Sequence, residues 1–248
     1  MAFADHFSGH APAYARARPG YPSELFDALA AAAPGRALAW DAGTGSGQAA
    51  VGLARPFARV VATDASPAQV AAAAVHPRVE YHVAEAGAID LPPATVDLVT
   101  VAQAAHWFDL PAFYAAAARV LRPGGALALW CYDLPRVTPE VDAVVDWFYR
   151  EVVGPWWPPE RRQVETGYRE LQFPFPEQPF PVMAMHCEWT AGALVDYVGT
   201  WSAVARYREA RGTDPLVPLA DALAPHWPLA AAPRPVRWPL RGRLGHRP

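Results

Sequence analysis

A chain of 248 residues, 52% hydrophobic with a formal net charge of −3, can bury a sizeable core and offers no electrostatic footprint for nucleic acid. No apolar run is long enough to span a membrane, and residues 1–6 lack the basic and apolar regions of a signal peptide. A cytoplasmic protein with no membrane partner is expected. All 21 basic residues are arginine, which, with the abundance of alanine and proline, reads as genome composition rather than function.

In chain order, Ser23–Ala33 has helical spacing, with Leu25, Phe26, Leu29 and Ala30 on one face and Pro34-Gly35 as its stop. A strand is predicted over about 37–42, then a glycine turn and a helix of small residues through Ala49, Val51 and Leu53. A second strand covers 59–63, and Ser66-Pro67 caps a helix reaching about Val75. Val79–Val83 and Val96–Ala102 read as strands three and four. Leu110–Leu121 is a helix stopped at Arg122-Pro123-Gly124-Gly125, and strand five follows at about 126–132. This β-α alternation predicts an α/β fold, a mostly parallel sheet with helices on both faces. Cys131 and Cys187 form neither a C-x-x-C pair nor metal-ligand spacing. They are expected as small core residues in a reducing compartment, with no metal bound.

Composition changes after Asp133. A helix over Pro139–Val153 leads into a stretch rich in proline and aromatics that runs to Pro181 and is not expected to form a regular sheet element. Residues 133–181 are read as an insertion capping the active site, an ordinary surface loop being the alternative. A strand at 182–189, a single helix at 191–211 and a strand at 235–243 complete a seven-stranded sheet, whose last two strands close one edge as an antiparallel hairpin. Residues 244–248 are expected to fray. The whole, 1–248, is read as one domain.

The first strand and its turn carry the chemistry. After Leu38-Ala39-Trp40 the chain reads D-x-G-x-G-x-G from Asp41, and the next strand ends at Asp64. Glycines 43, 45 and 47 let backbone approach a ligand closely, and an acid ending the second strand can accept hydrogen bonds from both hydroxyls of a ribose. The dinucleotide pattern G-x-G-x-x-G fits less well. From Gly43 it meets Gln48, and from Gly45 it meets Ala50, a tolerated variant.

The D-x-G-x-G-x-G loop resembles motif I of the class I S-adenosylmethionine (SAM) methyltransferases. Three further segments point the same way: Phe7 through Tyr14, Arg18 and Tyr21 to Pro22; Gln103-Ala-Ala-His106-Trp107-Phe108; and Thr200-Trp201-Ser202 with Val236–Leu240. Together they resemble small-molecule methyltransferases similar to trans-aconitate methyltransferase and its fungal relatives. The resemblance implies a Rossmann-like class I fold and SAM as methyl donor, leaving as S-adenosylhomocysteine. It also implies a small acceptor, plausibly a carboxylic acid, with the protein a monomer or homodimer. It assigns Asp41, Gly43, Thr44, Gly45 and Gly47 to the amino-acid end of SAM, and Asp64 with Ala65 to the ribose. Glu85 and Ala86 fall in the adenine loop, Gln103 and His106 beside the sulfonium. Residues 1–22, with Tyr14, Arg18 and Tyr21, would form a lid over the cofactor.

Methyl transfer is an in-line displacement needing a nucleophile about 3–3.5 Å from the methyl carbon. A carboxylic acid is already ionised at neutral pH and needs a cation to hold it, whereas a phenol, with a pKa of about 10, needs a base. His106 is therefore the first catalytic candidate, as base, as orienting hydrogen-bond donor, or as a residue that only fixes its loop. Tyr14 is a second. Arg18, Trp107, Trp130, Tyr197 and Trp201 are candidates for holding the acceptor, with core packing the competing reading for the aromatics. Methylation of a phenol, hydroxyl or amine in secondary metabolism, and a non-catalytic SAM-binding protein, remain as alternatives.

Overall fold

The computed structural model describes residues 19–248. Its centre is set by short apolar runs whose backbones can be satisfied only by neighbouring strands. β1 (Leu38–Ala42) and β4 (Val96–Ala102) are buried almost throughout, as strands covered on both faces must be. With β2 (Arg59–Asp64), β3 (Val79–Val83) and β5 (Leu121–Tyr132) they pair in parallel, in the order β3-β2-β1-β4-β5. Side chains alternate between faces. Ala39, Val60, Leu98 and Trp130 pack toward α1 (Ser23–Ala32) and α2 (Gln48–Leu53). Trp40, Val61, Val99 and Leu129 pack toward α4 (Leu110–Val120). The connecting helices start where the sequence supplies caps. Ser66 accepts from Gln69 N–H ahead of α3 (Pro67–Ala71), and Asp109 accepts from Ala112 N–H ahead of α4. Strand order reverses between β1 and β4, and such a switch point opens a crevice at the strands' carboxyl ends.

The antiparallel edge agrees in kind with expectation and differs in detail. β8 runs over Arg234–His246. Its first half pairs with β7 (Ala184–Trp189) and its second half, from Leu240, pairs with β5. The tail is therefore not frayed. His246 Nε2 lies 2.9 Å from the Ala32 carbonyl, and Arg247 exchanges backbone hydrogen bonds with Gly124 and Gly125. An eighth, two-residue strand, β6 (Glu177–Gln178), pairs with β8 at Leu244 and Gly245 inside the segment expected to hold no sheet element. The prolines flank this pair without occupying it, so both backbone donors remain available.

Between β5 and β7, α5 (Pro139–Trp147) passes into a π turn over Phe148–Val152 instead of running on as an α-helix to Val153. The short α6 (Arg161–Glu165) follows. The single helix expected over 191–211 is two, α7 (Ala191–Gly199) and α8 (Ser202–Arg211). The break is local. Thr200 Oγ1 donates to the Tyr197 carbonyl at 2.7 Å, and Trp201 is extended (φ −70°, ψ 137°). The sequence reading did not foresee α9 (Leu216–Leu223).

Candidate active site

At the mouth of β1, Asp41 is wholly buried. Thr44 Oγ1 and Thr100 Oγ1 each donate to it at 2.7 Å. Burial pushes its carboxyl up to about 6. The two hydroxyls offset part of this, and the nearby charge of Asp64 adds to it. The loop then turns through left-handed backbone at Gly43 (φ +67°), Gly45 (φ +54°) and Gly47 (φ +86°). A β-carbon at Gly43 would lie 2.7 Å from the Ala104 side chain, and one at Gly47 would strike the Tyr81 ring. One at Gly45 would meet nothing nearer than 3.9 Å among the described residues, which leave this stretch of backbone uncovered. Opposite it, Asp64 accepts from Gly45 N–H at 2.8 Å and Ser66 N–H at 2.9 Å, so the acid of β2 is locked to the glycine loop of β1. A backbone cradle open at Gly45 beside a positioned carboxylate fits a cofactor with a ribose and an amino-acid end. Ala65 adjoins this acid, half-buried. Glu85 and Ala86 follow β3, Glu85 exposed and Ala86 half-buried.

The second half of the site lies past β4. Gln103 sits in left-handed backbone (φ +57°), donates its N–H to the Trp130 carbonyl at 2.8 Å and accepts Tyr132 N–H at 2.9 Å through Oε1. These bonds pin the turn to β5 and lead into a 3-10 turn over Ala105–Trp107 that presents His106. His106 stacks against Trp107, with ring centroids 4.7 Å apart, and its Nδ1 lies 3.0 Å from the Tyr168 hydroxyl. Burial, with the positive charge of Arg161 adding to it, lowers the imidazole to about 3.

Tyr168, Arg161 and Tyr149 were not singled out from the sequence, and all three come from the 133–181 insertion. α6, which carries Arg161, packs on the His106 turn, and the Cys131 thiol of β5 lies 3.7 Å from the Val164 carbonyl of that helix. Burial raises the Cys131 thiol to about 12, so it acts as a small core group. The Arg161 guanidinium lies over the Trp157 ring at 4.8 Å and donates through Nε to the Tyr149 hydroxyl at 2.9 Å. Among the described residues no carboxylate lies within ion-pair distance of Arg161. Glu165 is linked to it only through Tyr149, whose hydroxyl donates to Glu165 at 2.5 Å. The signal available in sequence was thin: Tyr-Arg and Trp-Trp pairs in a proline-rich stretch.

The remaining candidates fall at graded distances from this centre. Tyr21 is half-buried against Trp130, centroids 5.5 Å apart, and near Tyr132. Trp130 is wholly buried on β5, and its indole N–H has no acceptor among the described residues. Trp201 packs edge-on to Tyr149 and 5.6 Å from Trp157, so it backs the ring beneath Arg161. Tyr197 lies one layer deeper, between Trp189 and Trp238, and the helix break means that it and Trp201 do not share one helix. Tyr14 and Arg18 lie outside the described residues. Among the described residues no cluster of His, Cys, Asp or Glu could hold a metal ion, and no helix is long and apolar enough to cross a membrane.

A glycine cradle, two acids at consecutive strand ends and a switch-point crevice define a nucleotide-cofactor enzyme of the methyltransferase type, and comparison with known proteins agrees. A model of the methyltransferase domain family matches residues 40–129. A Dictyostelium discoideum protein, provisionally described as a methyltransferase, is 36% identical over 89% of this chain and 86% of its own. An uncharacterised Mycobacterium tuberculosis methyltransferase is 34% identical over 79% of this chain and 76% of its own. A solved structure from Anaeromyxobacter dehalogenans, provisionally described as a type II methyltransferase, superposes with a TM-score of 0.88 at 49% identity, covering 93% of this chain and 98% of that one. The chain belongs to the methyltransferase family. It is a class I SAM-dependent methyltransferase, with SAM as its cofactor.

Proposed function

We propose that the enzyme methylates a carboxylate oxygen of a small-molecule acceptor. The observation that carries this reading is Arg161, a cation on an aromatic bed beside the His106 turn, with no carboxylate partner among the described residues. An arginine so placed suits an anionic group, whose two oxygens its planar fork can meet. The depressed basicity of His106 argues in the same direction. An imidazole lowered to about 3 is a poor base for a phenol, while a carboxylate needs no base at neutral pH.

In this reading SAM supplies an electrophilic methyl group on its sulfonium, and the protein supplies placement. Asp64 and Ala65 would hold the ribose hydroxyls. Glycines 43, 45 and 47, with Thr44 and Asp41, would hold the amino-acid end, and the Glu85-Ala86 backbone the adenine. Gln103 and His106 would border the reacting centre, and Tyr21 and Trp130 would wall it. Arg161 takes the anchoring part expected of Arg18, with Trp107, Trp157 and Trp201 excluding water. The deeper Tyr197 supports that wall as core. Residues 133–181 act as the cap. Acceptor methylation with labelled SAM over a panel of small acids, phenols and amines tests the reading. Label released as methanol by mild base is expected. Base-stable label would refute carboxyl transfer.

A further inference from the structure

We propose that Tyr168 is a positioning residue that holds His106 as its Nε2–H tautomer, so that His106 serves the methyl acceptor as a hydrogen-bond donor and not as a base. The assignment of a donor role rests on the proposed function; the tautomer itself does not.

The argument starts from hydrogen-bond capacity. Tyr168 is wholly buried, and its hydroxyl carries one proton that needs an acceptor. His106 Nδ1 lies 3.0 Å away. Burial holds the phenol well above its usual range, so it keeps its proton and stays a donor. Nδ1 is the one acceptor within reach of that hydroxyl among the described residues, so it accepts, and the imidazole's one hydrogen sits on Nε2. Charging the ring would put a second hydrogen between Nδ1 and a hydroxyl that already donates, beside the Arg161 cation. Among the described residues, the titratable groups that act electrostatically on the pair are Arg161 on α6, the Cys131 thiol on β5 and Tyr21. None of them is a carboxylate that would favour an imidazolium.

The backbone around Tyr168 is unusual in a way that fits a placed side chain. Gly167 and Tyr168 are consecutive left-handed residues, both at φ +63°. A β-carbon on Gly167 would lie 2.9 Å from Arg241 Cβ, so glycine is required there. A buried aromatic residue in this conformation is uncommon and persists only where its surroundings over-determine it. Here the double turn brings a hydroxyl 62 residues distant in sequence onto one nitrogen of His106, while the ring fills the core with Val164, Leu171 and Cys131.

The test is long-range proton–nitrogen NMR of the full chain labelled at histidine, with His106 assigned by the signal lost in His106→Gln. The expected spectrum shows His106 as the Nε2–H tautomer, with no titration between pH 5.5 and 8. In Tyr168→Phe, which keeps the ring, the signal is expected to move toward mixed tautomers while SAM affinity changes less than about threefold. Turnover is expected to fall about tenfold or more, with a smaller change in acceptor KM, as for loss of one orienting hydrogen bond. An Nδ1–H tautomer in the wild type, or a His106 that titrates near neutrality, would overturn the proposal. So would a Tyr168→Phe spectrum identical to wild type. If Tyr168→Phe does not fold, His106→Gln decides. Glutamine can donate but cannot act as a base, so it should keep at least about tenfold more turnover than His106→Ala; equal loss in both would refute the donor role. Base-stable product alongside an Nε2–H tautomer would defeat the carboxylate reading alone.

Discussion

Replacing Asp41 by asparagine separates the cost of a buried carboxylate from its use. The carboxyl titrates at 3.8 ordinarily and at about 6 in the folded protein. That difference corresponds to about 3 kcal/mol. An acid with a raised folded-state pKa holds its proton more tightly folded than unfolded. Its favourable contribution is therefore complete below 3.8 and is lost as pH rises through about 6. By pH 8 the ionised side chain costs roughly 3 kcal/mol relative to a neutral one, and at pH 5 roughly half of that, because the unfolded state is already ionised there. Asparagine stays neutral, offers its oxygen to one threonine hydroxyl and its amide to the other. Urea unfolding of wild type and Asp41→Asn without SAM, at pH 5 and pH 8, should show the variant gaining roughly 1–2 kcal/mol relative to wild type between the two. The same variant should bind SAM more than about tenfold more weakly if, as proposed, Asp41 serves the cofactor's amino-acid end. A stability difference that does not change with pH, or one that turns against the variant as pH rises, would refute the reasoning.

Asp64→Ala removes the acceptor of Gly45 and Ser66 N–H groups at 2.8 and 2.9 Å. Calorimetry should find SAM affinity down more than about tenfold with an unchanged circular dichroism spectrum, and intact affinity would disprove the placement of the ribose. Asp97 is wholly buried, accepts from Ala37 and Leu38 N–H at 2.8 and 3.0 Å and faces Arg122 at 3.1 Å. Asp97→Ala should lose about 3–5 kcal/mol in urea unfolding, and a loss below about 1 kcal/mol would mean that water replaces the carboxylate there. Arg161→Met, which keeps the aliphatic stem over Trp157, should raise the KM of an anionic acceptor at least about tenfold with a smaller change in kcat. An equal rise for a neutral acceptor would make Arg161 a packing residue.

What was legible in the sequence is what depends on neighbours in the chain. The glycine loop, the capping residue Ser66 and the buried runs of β1 and β4 each state their requirement within a few residues, and the expected cofactor half of the site rests on them. The errors have two physical causes, a partner far away in the sequence and a side-chain bond that periodicity does not register. The tail past Leu244 looked unsupported because its partners, Ala32 and Gly125, lie across the sheet. Apolar spacing ran unbroken through Thr200, yet one hydroxyl turned back onto the Tyr197 carbonyl ends the helix.

The acceptor half is the extreme case. His106 could be picked out as reactive, but whether it is acid, base or donor depends on which nitrogen is occupied. That depends on a phenol delivered by two left-handed residues 62 positions on. Arg161 likewise becomes notable only when the π turn at Phe148–Val152 has placed the Tyr149 hydroxyl against it. Neither a left-handed pair nor a π turn has a hydrophobic period, so neither leaves a trace that periodicity can detect. On the proposed reading, variation in the 133–181 segment would change what the enzyme methylates while the strand ends assigned to SAM stay as they are.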